Sequence, residues 1–251
     1  MFDLTGKIAI VTGGNGGIGL GMAQGLALAG AHVVIVGRDA SKSAAAVGTL
    51  TAKGLRADAV EADVTDEAAV QAMVGEVLRR HNALHILVNN AGINIRKAAH
   101  ELTLQDWSAV MDTNLTSAFI CSRAAHAPMK SAGGGKVINI GSMLSIFGAP
   151  YAPAYGASKG AVVQFTRSIA TAWAADNIQC NAVLPGWIDT ELTRKARSDV
   201  PGLNERVLGR TPAGRWGAPA DLAGIAVFLA SSASDFVTGT AIPVDGGYSI
   251  S

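Results

Sequence analysis

The stretch TGGNGGIG, from Thr12 to Gly19, decides the fold. It follows the apolar run KIAIV and leads into LGMAQGLALAG, which has the composition of a helix. A glycine-rich turn between a strand and a helix lets backbone N–H groups approach a pyrophosphate, and the positive end of the helix adds to the attraction. The spacing of Gly13, Gly17 and Gly19 is weakly specific alone, because the chain has 30 glycines. Directly after a first strand, it predicts a dinucleotide site.

The same alternation of strand and helix patterns continues outward from this turn. Short β-branched runs are separated by alanine-rich segments of helix length, and near-continuous apolar strands are typical of parallel sheets covered on both faces. The pattern predicts an α/β, doubly wound Rossmann-type fold, with a seven-stranded parallel sheet and helices on both faces. The predicted strands are KIAIVTG, AHVVIVG, LRADAVEAD, ALHILVNN, GKVINIGS, NIQCNAVLPG and TAIPVDGG.

A single domain, residues 1–251, fits this length, and one segment escapes the alternation. From Gly186 to Gly217 the chain carries prolines, several arginines and two tryptophans, Trp187 and Trp216, that the pattern places in solvent. Such a mixture suits a mobile cover over a ligand, so we predict a substrate lid at about 186–217. A surface loop that packs on a neighbouring subunit is the alternative.

Composition narrows the choice of partners. The 251 residues are 49% hydrophobic and 16% charged, with a net charge of +1. No charged block indicates nucleic acid, and no apolar run reaches the ~18 residues that cross a membrane. Without a secretion-signal pattern, we expect a cytoplasmic protein that binds a small molecule. The five histidines lack metal-site spacing and Cys121 and Cys180 lack disulfide spacing, so we predict no metal and two buried thiols.

The second predicted strand, in HVVIVGRDA, ends about 20 residues beyond the glycine turn, where such folds recognise the adenosine ribose. Gly37 occupies the position of the usual acid, and Arg38 follows it. An arginine there favours a 2′-phosphate, so we predict NADP(H) as cofactor, with NAD(H) as the alternative. Asp39 is interpreted as the N-cap of the next helix.

Three further segments end at the same edge of the predicted sheet. Asp63 and Val64 close the third strand, the NNAG segment beginning at Asn89 closes the fourth, and Ser142 closes the fifth. Because ligands of open α/β sheets bind at the carboxyl ends of the strands, we expect these residues to lie beside the glycine turn.

The segment PAYGASKGA places Tyr155 and Lys159 four residues apart, on one face of a predicted helix. A chemical pair is one interpretation. The other is that Tyr155 packs against the protein while Lys159 extends its ammonium into water.

The chain resembles the short-chain dehydrogenase/reductase family over nearly its whole length. The resemblance rests on the order and spacing of TGGNGGIG, DV at 63, NNAG, Asn114, Ser142, YGASK and PG at 185. The resemblance implies a homotetramer with VDGGYSI near an interface, and a catalytic tetrad of Asn114, Ser142, Tyr155 and Lys159. The candidate cofactor contacts are Gly13, Asn15, Gly16, Gly17, Ile18, Gly19, Arg38, Asp63, Val64, Asn90, Ala91, Gly92, Tyr155, Lys159, Pro185, Gly186, Ile188 and Thr190.

The expected chemistry requires an acid and base. Hydride transfer to a ketone leaves an alkoxide that needs a proton, and alcohol oxidation needs that proton removed. Tyr155 suits both steps if its pKa falls from about 10 toward 7, which takes roughly 4 kcal/mol of phenolate stabilisation, and we expect the Lys159 ammonium to provide it. By resemblance, Lys159 also holds the nicotinamide ribose, Ser142 donates to the substrate oxygen, and Asn114 anchors a water that relays protons.

Within the family, the chain looks most like the sugar-acid branch, which includes gluconate 5-dehydrogenases and 2-deoxy-D-gluconate 3-dehydrogenases. The likeness rests on the segments after NNAG and after Ser142 and on the run TPAGRWGAPADLAG. We expect hydride transfer at a secondary alcohol or ketone of a sugar acid or keto-deoxy sugar acid. A 3-oxoacyl-carrier-protein reductase is the alternative, and a non-catalytic dinucleotide sensor a remote one. A guanidinium suits a carboxylate, although for any single arginine the sequence favours a surface charge. Candidate substrate contacts are Asn94, Arg96, Ser142, Met143, Leu144, Trp187, Arg194 and Arg197.

Overall fold

A seven-stranded, all-parallel sheet forms the centre of the computed structural model, which describes residues 1–251. The strand order is β3-β2-β1-β4-β5-β6-β7, so the order reverses beside β1, at the point where such folds bind ligands. This confirms the predicted doubly wound α/β fold. The strands are β1 (Ile8–Thr12), β2 (His32–Gly37), β3 (Ala57–Glu61), β4 (Ile86–Asn89), β5 (Gly135–Ile140), β6 (Ile178–Pro185) and β7 (Ala241–Val244).

Helices cover both faces of the sheet because the strands are apolar on both faces. In β1, Ala9 and Val11 belong to the buried cluster beneath the helices at 17–28 and 223–230, whereas Ile8 and Ile10 belong to the cluster beneath the helices at 67–81 and 117–131. The helices are α1 (Gly17–Leu28), α2 (Ala40–Thr51), α3 (Glu67–His81), α4 (Leu104–Met111), α5 (Ser117–Ser131), α6 (Pro153–Trp173), α7 (Glu191–Asp199), α8 (Leu203–Arg210) and α9 (Ala223–Ala230).

The segment at 186–217 is helical rather than a loop, since it contains α7 and α8. The expectation that its tryptophans are exposed is wrong. Trp187 and Trp216 are half-buried and meet edge to face, with ring centroids 5.6 Å apart, and Trp216 Nε1 donates to Asn204 Oδ1 at 2.9 Å. Leu203 and Val207, one turn apart on α8, provide a small apolar core for both rings.

Both cysteines lie inside the protein. Cys121 and Cys180 are free and buried, and burial raises the pKa of each thiol to about 12. The interpretation as inert buried thiols is confirmed. None of the helices combines the length and the apolar character that crossing a membrane requires.

Candidate active site

The glycine turn connects β1 to α1 in the geometry that an anion requires. Gly13 and Gly17 have φ angles of +59° and +51°, in the left-handed region that favours glycine. The first turn of α1 contains no acidic residue, and Gly16 at its N-cap offers no side chain to the free N–H groups. These N–H groups can therefore bind a phosphate, so the turn fits the pyrophosphate of a dinucleotide.

The NNAG segment is fastened to this turn. Asn90 Nδ2 donates to the carbonyl oxygens of Thr12 and Gly13 at 2.9 and 3.0 Å, and Thr12 Oγ1 accepts from the backbone N–H groups of Asn90 and Ala91 at 3.0 and 3.1 Å. The Asn90 side chain thus positions the glycine turn, while Gly92 beyond it is exposed.

The end of β2 carries an exposed arginine in a weak ion pair. Arg38 Nη1 lies 3.6 Å from Asp63 Oδ2, and 70% of the Arg38 side chain is exposed. Hydrogen bonds from Thr65, first from its backbone N–H at 3.0 Å and then from its hydroxyl at 2.7 Å, lower the pKa of Asp63. Asp39 Oδ1 accepts from Lys42 N at 2.9 Å, which confirms Asp39 as the N-cap of α2. Its carboxylate is turned toward the helix.

Gly37 leaves less room than the sequence suggests. A Cβ at this position would lie 2.5 Å from Nδ2 of Asn15, which donates to Ser43 Oγ at 3.2 Å. The space beside the strand end is therefore occupied by an amide, and an acidic side chain at 37 would displace it.

Helix α6 presents the tyrosine and the lysine on one face, as predicted. Only 4% of Lys159 is exposed, so its amine does not extend into water. Its Nζ donates to the carbonyl oxygen of Ile140 at 2.6 Å and lies 5.7 Å from the centre of the Tyr155 ring. An ammonium has three donors and this one makes a single protein hydrogen bond, without a carboxylate partner, so its remaining donors fit the hydroxyls of a nicotinamide ribose.

Burial shifts the pKa values of this pair. Burial raises the pKa of Tyr155, against the smaller lowering effects of the Ser142 hydroxyl and the Arg96 charge. Burial also lowers the pKa of Lys159 to about 8. Within the chain itself burial outweighs the lowering effects, so the expected lowering of the Tyr155 pKa by Lys159 stays a prediction for the enzyme with bound cofactor. Tyr155 is consequently a protonated donor at neutral pH.

Ser142 is fixed relative to the catalytic helix by its neighbour Ser145. The Ser145 hydroxyl accepts from Ser142 N at 3.1 Å and donates to the carbonyl oxygen of Lys159 at 2.8 Å. Ser142 Oγ accepts from Leu144 N at 3.1 Å, which leaves its O–H free to donate. Leu144 is half-buried, and Met143 is buried in the same short turn.

Asn114 lies in a π-helical turn, Asp112–Thr116, between α4 and α5. Its buried amide bonds both backbone groups of Ile93, with Oδ1 accepting at 2.8 Å and Nδ2 donating at 3.0 Å, and also donates to Ser158 Oγ at 2.9 Å. It thereby joins the segment after β4 to α6. Such π turns are frequent at functional sites, and the sequence pattern did not indicate this one.

The remaining predicted cofactor contacts lie at the same carboxyl edge. Thr190 caps α7, and its Cγ2 lies 3.3 Å from the position that a Cβ on Gly17 would take, so the start of the segment 186–217 lies beside the glycine turn. Pro185 ends β6, Gly186 is half-buried, and Ile18, Val64 and Ile188 are half-buried or buried among apolar side chains.

Two predicted substrate contacts carry buried polar atoms that lack a protein partner. Asn94 Oδ1, an acceptor, and Trp187 Nε1, a donor, are both buried without a hydrogen bond. Trp187 lines a cavity of about 590 Å³ together with Tyr151, Arg206 and Arg210. A ligand with hydroxyl groups can satisfy a buried donor and acceptor of this kind.

Arginines divide into paired and unpaired groups. Arg194 and Arg197 both bind Asp189, the former at 3.2 Å, and Arg197 also stacks on Trp216 at 4.3 Å. Their carboxylate partner makes them poor ligands for an acid, contrary to expectation. Arg96 has only a 3.5 Å contact with the carbonyl oxygen of Leu192 and forms no ion pair.

Arg206 and Arg210 line the cavity without carboxylate partners, and the sequence pattern did not indicate them. Arg206 donates to the carbonyl oxygen of Pro201 at 3.1 Å, and Arg210 lies over the rings of Phe147 and Tyr248 at 4.6 and 4.4 Å. Their four-residue spacing on α8 is the signal that could have found them, had the helix been predicted.

Comparison with known proteins agrees with this geometry. The protein-family model described as enoyl-(acyl carrier protein) reductase matches residues 13–249. The chain belongs to the short-chain dehydrogenase/reductase family. It is 45% identical to a 2-dehydro-3-deoxy-D-gluconate 5-dehydrogenase of Dickeya dadantii, over 98% of this chain and 97% of that protein. It is 41% identical to a gluconate 5-dehydrogenase of Gluconobacter oxydans, over 100% and 98%.

A solved structure of this family shares the whole fold. The gluconate 5-dehydrogenase of Burkholderia cenocepacia in complex with NADP and tartrate superposes with a TM-score of 0.95, at 42% identity, over 100% of this chain and 98% of that one. Membership of the short-chain dehydrogenase/reductase family confirms the resemblance drawn from the motifs. The chain is therefore an oxidoreductase of this NAD(P)-dependent family, acting on a CH–OH group.

Proposed function

We propose that this chain transfers a hydride between NADP(H) and a secondary alcohol or ketone of a sugar acid, of the gluconate or 2-dehydro-3-deoxygluconate class. Relatives of 41–45% identity carry these names, and the tetrad residues Asn114, Ser142, Tyr155 and Lys159 are all present. A 3-oxoacyl-carrier-protein reductase stays the alternative, and the matching family model is also described by an acyl-carrier-protein substrate, as an enoyl-(acyl carrier protein) reductase.

One observation carries the choice of an acid: the Arg96 guanidinium forms no ion pair and makes only a 3.5 Å contact with the carbonyl oxygen of Leu192, while its charge acts to lower the pKa of the nearby Tyr155 phenol against the larger effect of burial. Arg96 has no carboxylate partner in the protein. A substrate carboxylate would form an ion pair with Arg96, and the two N–H groups of the guanidinium fork suit both carboxylate oxygens. Asn94 and Trp187 offer an unpartnered acceptor and donor for hydroxyl groups.

The reaction balances as a two-electron transfer. When bound, the nicotinamide exchanges a hydride with the carbon that carries the substrate oxygen. In reduction, Tyr155 gives its phenolic proton to that oxygen, and in oxidation the phenolate takes the proton back. Ser142 donates a hydrogen bond to the same oxygen. Lys159 holds the ribose and supplies the charge that stabilises the phenolate.

NADP(H) is supported by the side chains at the end of β2. A 2′-phosphate would replace the weak contact between Arg38 and Asp63, and the Asp39 carboxylate is occupied by the helix cap. The Burkholderia cenocepacia structure contains NADP. NAD(H) remains the alternative, because no acidic side chain of the protein has to move before a ribose without a 2′-phosphate can bind.

Changing Arg38 to isoleucine should lower kcat/KM for NADPH about tenfold and leave NADH nearly unaffected, since a hydrogen bond to a charged group contributes about 1.5–3 kcal/mol. Isoleucine at position 38 removes the charge and leaves Asn15 in place. An acid introduced at Gly37 would instead displace the Asn15 amide. Asp39→Asn is the matched control, because asparagine preserves the cap. A wild-type preference for NADH, measured at the same ionic strength, would refute the role of Arg38.

Arg96→Ala should raise KM for sugar acids by about tenfold or more, while neutral polyols of the same length keep their KM, because only the acids lose an ion pair. Lys97→Ala is the control, since this neighbouring cation is already paired with Asp106 at 2.6 Å. Equal effects on acids and polyols would remove carboxylate recognition from Arg96.

A panel of sugar acids, polyols and acyl thioesters, assayed with each cofactor, tests the proposed function directly. Turnover of acyl thioesters alone would favour the carrier-protein alternative, and cofactor binding without any turnover would favour the dinucleotide sensor. The homotetramer, the cytoplasmic location and the lid within one domain stay predictions.

A further inference from the structure

Two histidines and an aspartate meet on the surface far from the tetrad. His32 is the first residue of β2, Asp58 lies in the edge strand β3, and His81 is the last residue of α3. These positions are at the amino end of the strands, whereas the glycine turn and Tyr155 lie toward the carboxyl end. From His32 to Gly37, β2 alone separates the two ends by about 17 Å.

The three side chains converge on one carboxylate oxygen. The Nε2 atoms of His32 and His81 lie 3.2 and 2.9 Å from Asp58 Oδ2, and the three ligand atoms all lie within 4.8 Å of one another. In a tetrahedral zinc site, bonds of about 2.0–2.2 Å place neighbouring ligand atoms about 3.3 Å apart. The two distances to Asp58 Oδ2 are close to this spacing.

In contrast to Oδ2, the second oxygen of the carboxylate lacks a hydrogen bond. Asp58 Oδ1 is buried without a partner, and the nearest cation, Arg80 Nη1, lies 3.9 Å away. Arg80 is itself engaged by Glu76 at 2.6 Å and by the carbonyl oxygen of Ala59 at 3.1 Å. A cation bound by both oxygens of Asp58 would satisfy this atom.

The cluster is also open to solvent. The three side chains are 12–29% exposed, which leaves a path from solvent for an ion.

We propose that His32, Asp58 and His81 bind a divalent transition-metal ion of the Zn²⁺ class, with its remaining coordination position open to water. Two imidazoles and a carboxylate are the ligands such ions prefer, while Mg²⁺ and Ca²⁺ prefer oxygen alone. The ion joins the end of α3 to β2 and to the edge strand, and therefore stabilises this edge of the sheet. The spacing in sequence concealed the site, because the three residues come from three separate elements.

The test is a titration of untagged, chelator-treated protein with Zn²⁺ by calorimetry and with Co²⁺ by visible absorption. One equivalent per chain is expected, with no response to Mg²⁺. At Zn²⁺ 100-fold above Kd, the Tm should rise by about 5–10 °C. His32→Asn and His81→Asn should each weaken Zn²⁺ binding at least about tenfold, and NADP(H)-dependent turnover should be unchanged by zinc removal.

His126→Asn is the matched control. His126 Nε2 also lies 2.9 Å from an aspartate, Asp176, but no second imidazole faces that carboxylate, so zinc affinity should be unchanged. The metal-free Tm of each variant separates loss of a ligand from loss of the fold, and the two histidine variants alter different elements. Failure of the wild type to bind Zn²⁺, or wild-type affinity in both histidine variants, would overturn the proposal.

Discussion

Tyr155→Phe is expected to bind cofactor as the wild type does and to lose roughly 10²- to 10⁴-fold in kcat, the usual contribution of general acid–base catalysis. The substitution keeps the ring that packs beside Lys159 and removes only the proton donor. Because the chain's own groups raise the pKa of Tyr155, ketone reduction depends on this proton throughout the neutral range. The measurement is steady-state kinetics in both directions, with cofactor affinity measured separately by fluorescence.

Tyr151→Phe is the matched control. Tyr151 lies four residues earlier and is also partly buried, and the Arg96 charge acts to lower its pKa as it does for Tyr155. It is nevertheless not a member of the tetrad. We expect it to retain most of the turnover. If Tyr155→Phe keeps more than about a tenth of the wild-type kcat, a different group supplies the proton.

Features set by short segments could be predicted from the sequence. The glycine turn, the seven strands, the Asp39 cap and the shared face of Tyr155 and Lys159 each depend on a few neighbouring residues. Parallel strands then bring their ends to one edge, so Ser142 and the NNAG segment were placed correctly relative to the glycine turn. Local pattern and topology together were enough for the framework of the candidate site.

Features that depend on distant contacts escaped the sequence. Asp189 pairs with Arg194 and Arg197, which removes two arginines from the candidate substrate contacts. The sign of the Tyr155 pKa shift depends on burial, which outweighs the hydrogen bond of Ser142 and the charge of Arg96. The hydrophobic periodicity of the sequence does not indicate such ion pairs or pKa shifts.

The segment 186–217 shows how a local pattern can also mislead. Its prolines and charges indicated exposed tryptophans, but Leu203 and Val207 pack with both rings in a segment that forms two helices. Once α8 exists, Arg206 and Arg210 reach the same cavity. The substrate side therefore depends on tertiary packing far more than the cofactor side does.

Lys159 carries a buried charge, and its removal should separate stability from activity. The lysine pKa is 10.5 in its ordinary state and about 8 in the folded protein, so the unfolded chain binds the extra proton more readily. That difference disfavours folding fully below pH 8, and the penalty is lost as the pH rises from 8 to 10.5. Lys159→Met should accordingly be at least as stable as the wild type at pH 7, with the difference shrinking above pH 8.

The same variant should nevertheless bind NADP(H) more weakly and lose roughly 10²-fold or more in kcat, because methionine fills the volume but supplies neither ribose donors nor a charge for the phenolate. Alcohol oxidation requires deprotonated Tyr155, so loss of the ammonium should move the rising limb of the oxidative pH–rate profile to higher pH. Lys136→Met is the control: this other buried lysine is paired with Asp235 at 2.7 Å, and its loss should lower stability without moving the limb. A Lys159→Met profile that coincides with that of the wild type would show that Lys159 does not tune Tyr155.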